Sequence, residues 1–586
     1  MKPLLRLLPY LSKYKKTLFM GLLSIVGSNI FTVIQPHFIG KAIDELKRGI
    51  STHNLDPVDL LFYAGLIVGF TLVAGVLSFL TRQTIIVVSR HIEYDIRNDF
   101  LSHIQKLPFS YFQNTPTGDL MAHATNDIGA VRNTLGPGIM YPADTLVTFV
   151  MVLTMMLLKD WQLTLMVLIP LPLVSFAVYK LGKLINQRFQ ERQEQYSKLT
   201  TRAQESLSGI RVIKAYVREN FEIESFRSIS WEYFKKNLVL AKIQSIIWPT
   251  MFLLVGVSLV ITIYYGGSKV IDGKLSIGTL TAFFAYLVML IWPMIAFGWV
   301  INILQQGAAS MKRLAKIFDT EPEIENNEYT DYSIKEIKGD IEFRNVTFNH
   351  KKSKQPDLQN IQLKIERGKT IAVVGYTGSG KSTIVNLIPR LYDISDGELL
   401  IDGIDIKKIP LEVLRSNIGY VPQETFLFSD TIAHNIAYGV EEYDEVNIVQ
   451  AADIAQLTKD VEEFPKQFET MIGERGITLS GGQKQRAGIA RAVIRDPKIL
   501  ILDDALSAVD IHTEEEILKR LKKVMENRTS IIISHRISTV KDADLIVVID
   551  KGQIVERGTH GELVVIGGIY ADLHYKQMLE EELEKL

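Results

Sequence analysis

The chain has no cysteine among its 586 residues. That excludes a disulfide framework and any chemistry that needs a thiolate. It also lacks a charge imbalance: 65 Lys and Arg stand against 66 Asp and Glu, a net charge of −1. No basic footprint for nucleic acid is present, so none is expected as a partner. The third absence is local. Long apolar runs stop near Leu304, and the remainder has the composition of an ordinary globular domain. The length suggests at least two domains. The apolar share of 47% and mean hydropathy of +0.13 then read as an average over two unlike parts.

What is present begins with six apolar runs, at residues 18–40, 60–88, 139–158, 163–181, 243–265 and 280–304. About 20 such residues cross a bilayer as a helix. Core helices of soluble proteins rarely run so long without a polar face. The third and fourth runs are joined only by residues 159–162, a tight helical hairpin, and the fourth carries Pro170 and Pro172. Spanning helices tolerate proline when neighbours satisfy the freed carbonyls. Two long charged stretches, 89–136 and 183–242, separate runs two from three and four from five. With few breakers, they read as helices continuing out of the membrane. At 1.5 Å per residue, roughly 20 residues reach about 30 Å.

Parity places both long stretches and both termini on one side. Lys2, Arg6, Lys13, Lys15 and Lys16 precede the first run with no acidic residue among them. The positive-inside rule puts that side in the cytoplasm. Residues 3–14, basic and apolar by turns, suit the inner membrane surface. The first run is too long for a signal-peptide core and is read as retained.

An acidic linker at 321–331 leads to a strand-like stretch at 341–348. A short apolar run, 370–374, then enters Gly375-Tyr376-Thr377-Gly378-Ser379-Gly380-Lys381-Ser382-Thr383. This is a phosphate-binding loop between a strand and an apolar helix. Its glycines let backbone N–H groups close on phosphates, Lys381 reaches the terminal phosphates, and the Ser382 hydroxyl is placed for Mg²⁺. A second apolar run, 499–502, ends in Asp503 and Asp504. A carboxylate at the tip of a buried parallel strand can hold Mg²⁺ beside the phosphates, and Asp503 is assigned that role.

Leu479-Ser480-Gly481-Gly482-Gln483 resembles the signature sequence of ABC ATPases. Other features fall in that family's order: Gln423 in Val421-Pro422-Gln423-Glu424, Asp510 in Ser507-Ala508-Val509-Asp510, and His535 after a strand at 530–534. With the six preceding runs, nearly the whole chain closely resembles bacterial ABC exporter half-transporters of the multidrug type. The resemblance implies a six-helix all-α transmembrane domain over residues 1–320 and a linker at 321–339. It implies an α/β P-loop ATPase domain with a helical subdomain at 340–586. It implies ATP and Mg²⁺, with Gln423 close to both. The signature would serve the partner's nucleotide: Ser480 and the following N–H groups of a helix start can hold a γ-phosphate. Residues 117–127 and 208–216 are expected near the helices that contact the ATP-binding domain, and Gly473-Glu474-Arg475-Gly476 is the segment expected to touch them.

Two positions depart from the family pattern. Glutamate usually follows the Mg²⁺ aspartate and takes the proton of the attacking water; here Asp504 stands there. One methylene shorter, it holds its oxygens about 1 Å from that place, which can cost about a hundredfold in rate. A conservative swap that still works is one reading. The favoured one is a degenerate site in a heterodimer whose partner carries the glutamate. The second departure is His350, where the family usually stacks a tyrosine on adenine; the basic run 351–354 follows. Histidine stacks with less area. The expected function is ATP-driven export of amphipathic or lipid-like solutes across the cytoplasmic membrane. The competing readings are an ATP-gated channel or regulatory subunit, and a silent subunit that only completes a partner's site. Trp248, Trp292, Trp299, Met289 and Met294 suit a broad apolar substrate site or plain helix packing.

Overall fold

The computed structural model describes residues 2–53, 56–350, 356–473 and 479–584. The chain divides into two compact units: Met1–Gln105 with Thr117–Thr320, and Lys106–Pro116 with Glu321–Leu586.

The first unit is helical. Among the described residues, four helices are long and apolar enough to cross a membrane: Lys15–Thr52, Pro57–Lys106, Thr117–Lys159 and Ile277–Phe318. They carry four of the six expected runs. The other two are helical without meeting that test. The fourth is split, because Trp161–Leu168 ends at Ile169 and Pro170 opens the helix Pro170–Ser208. Proline brings no N–H to continue the ladder. The fifth lies in Glu219–Ile261 and continues through a wide turn at Thr262–Gly266. Pro170–Ser208 and Glu219–Ile261 have 39 and 43 residues. Each is therefore about 60 Å long, twice a hydrocarbon core.

The helix Pro57–Thr81 leaves Leu61, Phe62, Leu72 and Val76 more than half exposed. Such a stripe is a liability in water and is matched by acyl chains in a bilayer. Inside, Val33, Met156, Leu163, Phe283, Tyr286 and Leu290 form a buried cluster. The helices Lys15–Thr52 and Ile277–Phe318 meet at Gly40 and Gly278, where a Cβ on Gly278 would lie 1.9 Å from the Gly40 carbonyl oxygen. Only glycine permits that approach. The N-terminal segment is helical at Lys2–Leu7 and Leu8–Lys13. Tyr10 donates to Asp99 at 2.6 Å and Lys13 to Asp95 at 2.7 Å, while Leu5 and Leu8 stay exposed. Its polar groups are therefore held, Leu7 is buried, and Leu5 and Leu8 are left outward.

Among the described residues the second unit has ten strands: β1 (Ile341–Phe348), β2 (Leu358–Ile365), β3 (Thr370–Val374), β4 (Asp396–Ile401), β5 (Ile404–Asp405), β6 (Ile418–Val421), β7 (Ile499–Asp503), β8 (Thr529–Ile533), β9 (Leu545–Asp550) and β10 (Gln553–Gly558). A six-stranded sheet has the order β10-β9-β3-β8-β7-β6, parallel except at the β10–β9 edge. An antiparallel sheet has the order β2-β1-β4-β5. Successive side chains of a strand point to opposite faces. Accordingly Ala372 and Val374 join one buried cluster while Ile371 and Val373 join another. Leu500 and Leu502 divide from Ile499 and Ile501 in the same way. Burial on both faces is why these strands read as unbroken apolar runs.

Residues 117–127 belong to the first unit, and the adjoining segment Lys106–Pro116 groups with the second unit. Its helix Phe109–Asn114 sets the Phe109 ring edge-on to Tyr392, with centroids 5.9 Å apart, and Gln113 hydrogen-bonds the Tyr392 side chain. The other expected stretch, 208–216, contains the six-residue helix Ile210–Ala215, with Val212 and Tyr216 exposed. Residues 474–476 of the expected contact segment, and the basic run 351–354, lie outside the described residues.

Candidate ATP-hydrolysis site

β3 ends at Val374 and the chain turns through Gly375, Gly378 and Gly380 at φ of 149°, 80° and 106°. A Cβ on Gly375 would lie 2.2 Å from the Ile549 carbonyl oxygen. Glycine is required there by both backbone and space. The loop opens the helix Lys381–Leu387. Lys381 Nζ donates to the carbonyls of Gly375 at 2.9 Å and Tyr376 at 2.8 Å. An ammonium has three donors, so one remains for a phosphate oxygen. Burial pushes the Lys381 pKa down, against the pull of the Asp504 and Asp503 carboxylates. Ser379 Oγ is buried without a partner, and the Tyr376 hydroxyl donates to Asp572 at 3.3 Å.

The Ser382 hydroxyl donates to Asp503 Oδ1 at 3.1 Å. Burial raises the Asp503 pKa, the Ser382 hydrogen bond opposes this, and the Asp504 charge adds to it. These oxygens share a cleft of about 830 Å³ with Gln423. Mg²⁺ takes hard oxygen ligands, usually one or two carboxylates completed by water and substrate phosphates. One carboxylate, one hydroxyl and one amide oxygen fit that chemistry. Among the described residues no cluster of three or more His, Cys, Asp or Glu could hold a metal by itself.

The same cleft brings together Thr377, Gly378, Gly380, Lys381, Ser382, Thr383, Gln423, Asp503, Asp504 and His535 from the expected set. Asp504 leaves β7 at φ 50°. Aspartate tolerates that left-handed conformation better than most residues. Its N–H donates to the Ile533 carbonyl at 2.9 Å, and its carbonyl accepts from Ser507 Oγ at 3.0 Å. Its backbone is thus held between β8 and the turn that follows, which leaves little freedom except in the side chain.

His350 is not in the cleft lining. Its ring meets Phe348 and Tyr392 edge-to-face at 4.8 and 5.0 Å. The expected base-stacking ring is therefore engaged with its own domain, because the edge-to-face arrangement satisfies the quadrupoles of all three rings.

Ser480, Gly481, Gly482, Gln483 and Asp510 also lie away from the cleft lining. Ser480 caps the helix Gly481–Val493, and Gln483 returns its side chain to the Ser480 N–H at 3.0 Å, a full capping box. A Cβ on Gly482 would lie 2.9 Å from the Ala508 carbonyl oxygen. Asp510 caps the helix Ile511–Met525 through the Thr513 N–H at 2.9 Å. The residue joining these parts, Gln485, has no motif to announce it. It accepts from the Ala508 N–H at 2.9 Å and donates to Ser507 Oγ at 3.0 Å. Gln359, Lys551 and Gln553 also line the cleft unannounced. They come from the start of β2, the β9–β10 turn and the first residue of β10, and only sheet pairing brings them near the loop.

Known proteins agree with this geometry. Residues 18–294 match the family model described as the ABC transporter transmembrane region, and residues 358–507 match the ABC transporter model. The chain is 39% identical to the "probable multidrug resistance ABC transporter ATP-binding/permease protein YheI" of Bacillus subtilis, over 95% of this chain and 94% of that protein. It is 33% identical to an "ATP-dependent lipid A-core flippase" of Photobacterium profundum, over 97% of each. A solved bacterial Atm1-family ABC exporter with ATP bound superposes with TM-score 0.79 at 26% identity, covering 96% of this chain and 99% of that one. With a membrane region and an ATPase domain fused in one chain, this protein belongs to the ABC transporter family, as an ATP-driven exporter half-transporter.

Proposed function

We propose that this chain exports amphipathic or lipid-like solutes across the cytoplasmic membrane as one half of a heterodimer in which its own ATP site is the weaker. The observation that carries the pairing is Asp504, beside Asp503 in the cleft where a longer carboxylate would better reach the attacking water. Relatives described as multidrug-resistance transporters and lipid A-core flippases support the substrate class. In this reading residues 1–320 carry six spans, 321–339 are a linker and 340–586 bind nucleotide in the cytoplasm.

The residues divide the work. Lys381, Thr383 and the loop N–H groups hold the nucleotide phosphates. Ser382, Asp503 and Gln423 would hold Mg²⁺, which neutralises phosphate charge. Asp504 accepts the proton of the attacking water from a displaced position, and His535 steadies the terminal phosphate. Ser480 through Gln483 complete the partner's site across the dimer. Closure of the two ATP-binding domains is then a ligand-biased two-state change that the long helices carry to the spans.

ATP hydrolysis by the chain alone and with its co-purified partner tests this. The chain alone is expected to be slow, and the pair fast and stimulated by amphipathic compounds. Robust hydrolysis by the chain alone, unchanged by Asp504→Asn, overturns the heterodimer reading.

A further inference from the structure

His535 sits just after β8 on a turn whose backbone is gripped from two sides. On one side, the Arg536 N–H donates to Ser534 Oγ at 3.0 Å. The Arg536 guanidinium reaches the Val509 carbonyl at 3.3 Å and pairs with buried Glu514. The second grip comes from the far end of the chain. Gln577, on the helix Ile569–Glu584, accepts from the Ile537 N–H at 2.7 Å through Oε1 and donates through Nε2 to the His535 carbonyl oxygen. One primary amide thus brackets the two peptides that follow the histidine. A side-chain amide, with a donor and an acceptor on one rigid plane, matches that pair of backbone groups.

The helix supplying Gln577 is itself anchored. The N–H groups of Ile569 and Tyr570 donate to Glu556, the latter at 3.1 Å, and the Tyr570 ring is fully buried. Five residues before Gln577, Asp572 receives the Tyr376 hydroxyl of the phosphate loop at 3.3 Å and Lys576 at 2.7 Å. One helix therefore touches both the loop that grips phosphate and, through side chains about 140° apart around its axis, the turn that carries the histidine.

We propose that Gln577 is a positioning residue for His535, setting where the imidazole enters the cleft. This rests on reading His535 as a group that meets the terminal phosphate. Gln577 itself is only half-buried, and the Arg536 anchors remain without it. Its loss displaces the turn and leaves the fold standing. Displacement of a reacting-site group by about 1 Å can cost up to about a hundredfold in rate.

The test is a double-mutant cycle on ATP hydrolysis by the full transporter in lipid, run with Asp504 and again with Asp504→Glu so that this chain's own site turns over measurably. Gln577→Ala removes both hydrogen bonds. Gln577→Glu keeps the size and the acceptor for Ile537 and removes the donor to His535. Both are expected to lower kcat by about tenfold. The KM for ATP should stay within about twofold, as expected when ground-state binding is intact. In the His535→Ala background neither should lower kcat further, because residues acting through one another are non-additive. Full kcat in Gln577→Glu, a loss that appears in KM, or an equal loss in the His535→Ala background overturns the proposal. If His535→Ala alone leaves kcat unchanged, the reading of His535 falls, and this inference with it.

Discussion

The Ser382 hydroxyl and the Asp503 carboxylate meet at 3.1 Å, joining the first turn after the phosphate loop to the tip of β7. Both groups are hard oxygen donors, one on the first turn of a helix and one at the end of a strand. Ser382→Ala removes one donor and keeps the loop. It is expected to raise the Mg²⁺ concentration for half-maximal ATP hydrolysis by at least about tenfold, the size typical of a disturbed metal shell. Titration of activity with Mg²⁺ measures this, and chelation by EDTA should abolish hydrolysis in both proteins.

Gly375→Ala should cost both order and affinity. Its φ of 149° strains any side chain, and the new Cβ would meet the Ile549 carbonyl at 2.2 Å. Local strain of about 1–3 kcal/mol is expected. Because that strain falls on the loop itself, binding of a fluorescent ATP analogue should weaken more than the overall unfolding temperature falls.

Phe109 is predicted to couple, not to catalyse. Its edge-to-face contact with Tyr392 ties the segment Lys106–Pro116 to the ATP-binding unit. Such a pair contributes about 0.5–1.5 kcal/mol beyond its buried area. Phe109→Ala is expected to keep basal hydrolysis and to lower its stimulation by transported compounds. Parallel measurement of basal and stimulated rates in vesicles checks it.

Lys269 donates to both oxygens of Asp160, at 2.8 and 2.6 Å, with each side chain mostly buried. Asp160 also caps the helix Trp161–Leu168 through the Leu163 N–H at 2.8 Å. Breaking one side of a buried pair costs about 3–5 kcal/mol, whereas replacing both partners is often near neutral. Lys269→Met should therefore lower the unfolding midpoint in detergent by several degrees, toward the smaller end of that cost given the partial exposure. Adding Asp160→Asn, which keeps the capping oxygen, should restore most of it.

Local pattern alone determined much of this protein. The expected strand at 341–348 is β1, that at 370–374 is β3, and that at 530–534 is β8 shifted by one residue. Strands buried on both faces must be apolar at every position, so they are visible without knowing their partners. The phosphate loop and the signature are likewise short-range: their glycines and capping residues do their work within a few positions. Six of the ten expected site residues that meet in the cleft come from that loop and its helix, whereas Gln423, Asp503, Asp504 and His535 are brought there by the pairing of β3, β8, β7 and β6.

What the tertiary structure decided are relations between distant positions. Gln485 closes the signature helix onto Ala508, and Gln577 reaches His535 across 42 residues. Glutamine has no periodicity or motif of its own, so only the folded chain reveals what its amide holds. His350 was readable as an aromatic position, but its engagement with Phe348 and Tyr392 depends on where β1 and the turn after the loop's helix come to lie. The break at Ile169 and the grouping of Lys106–Pro116 with the second unit are of the same kind. Sequence pattern sets which groups each segment can offer, and packing selects the partners that satisfy them.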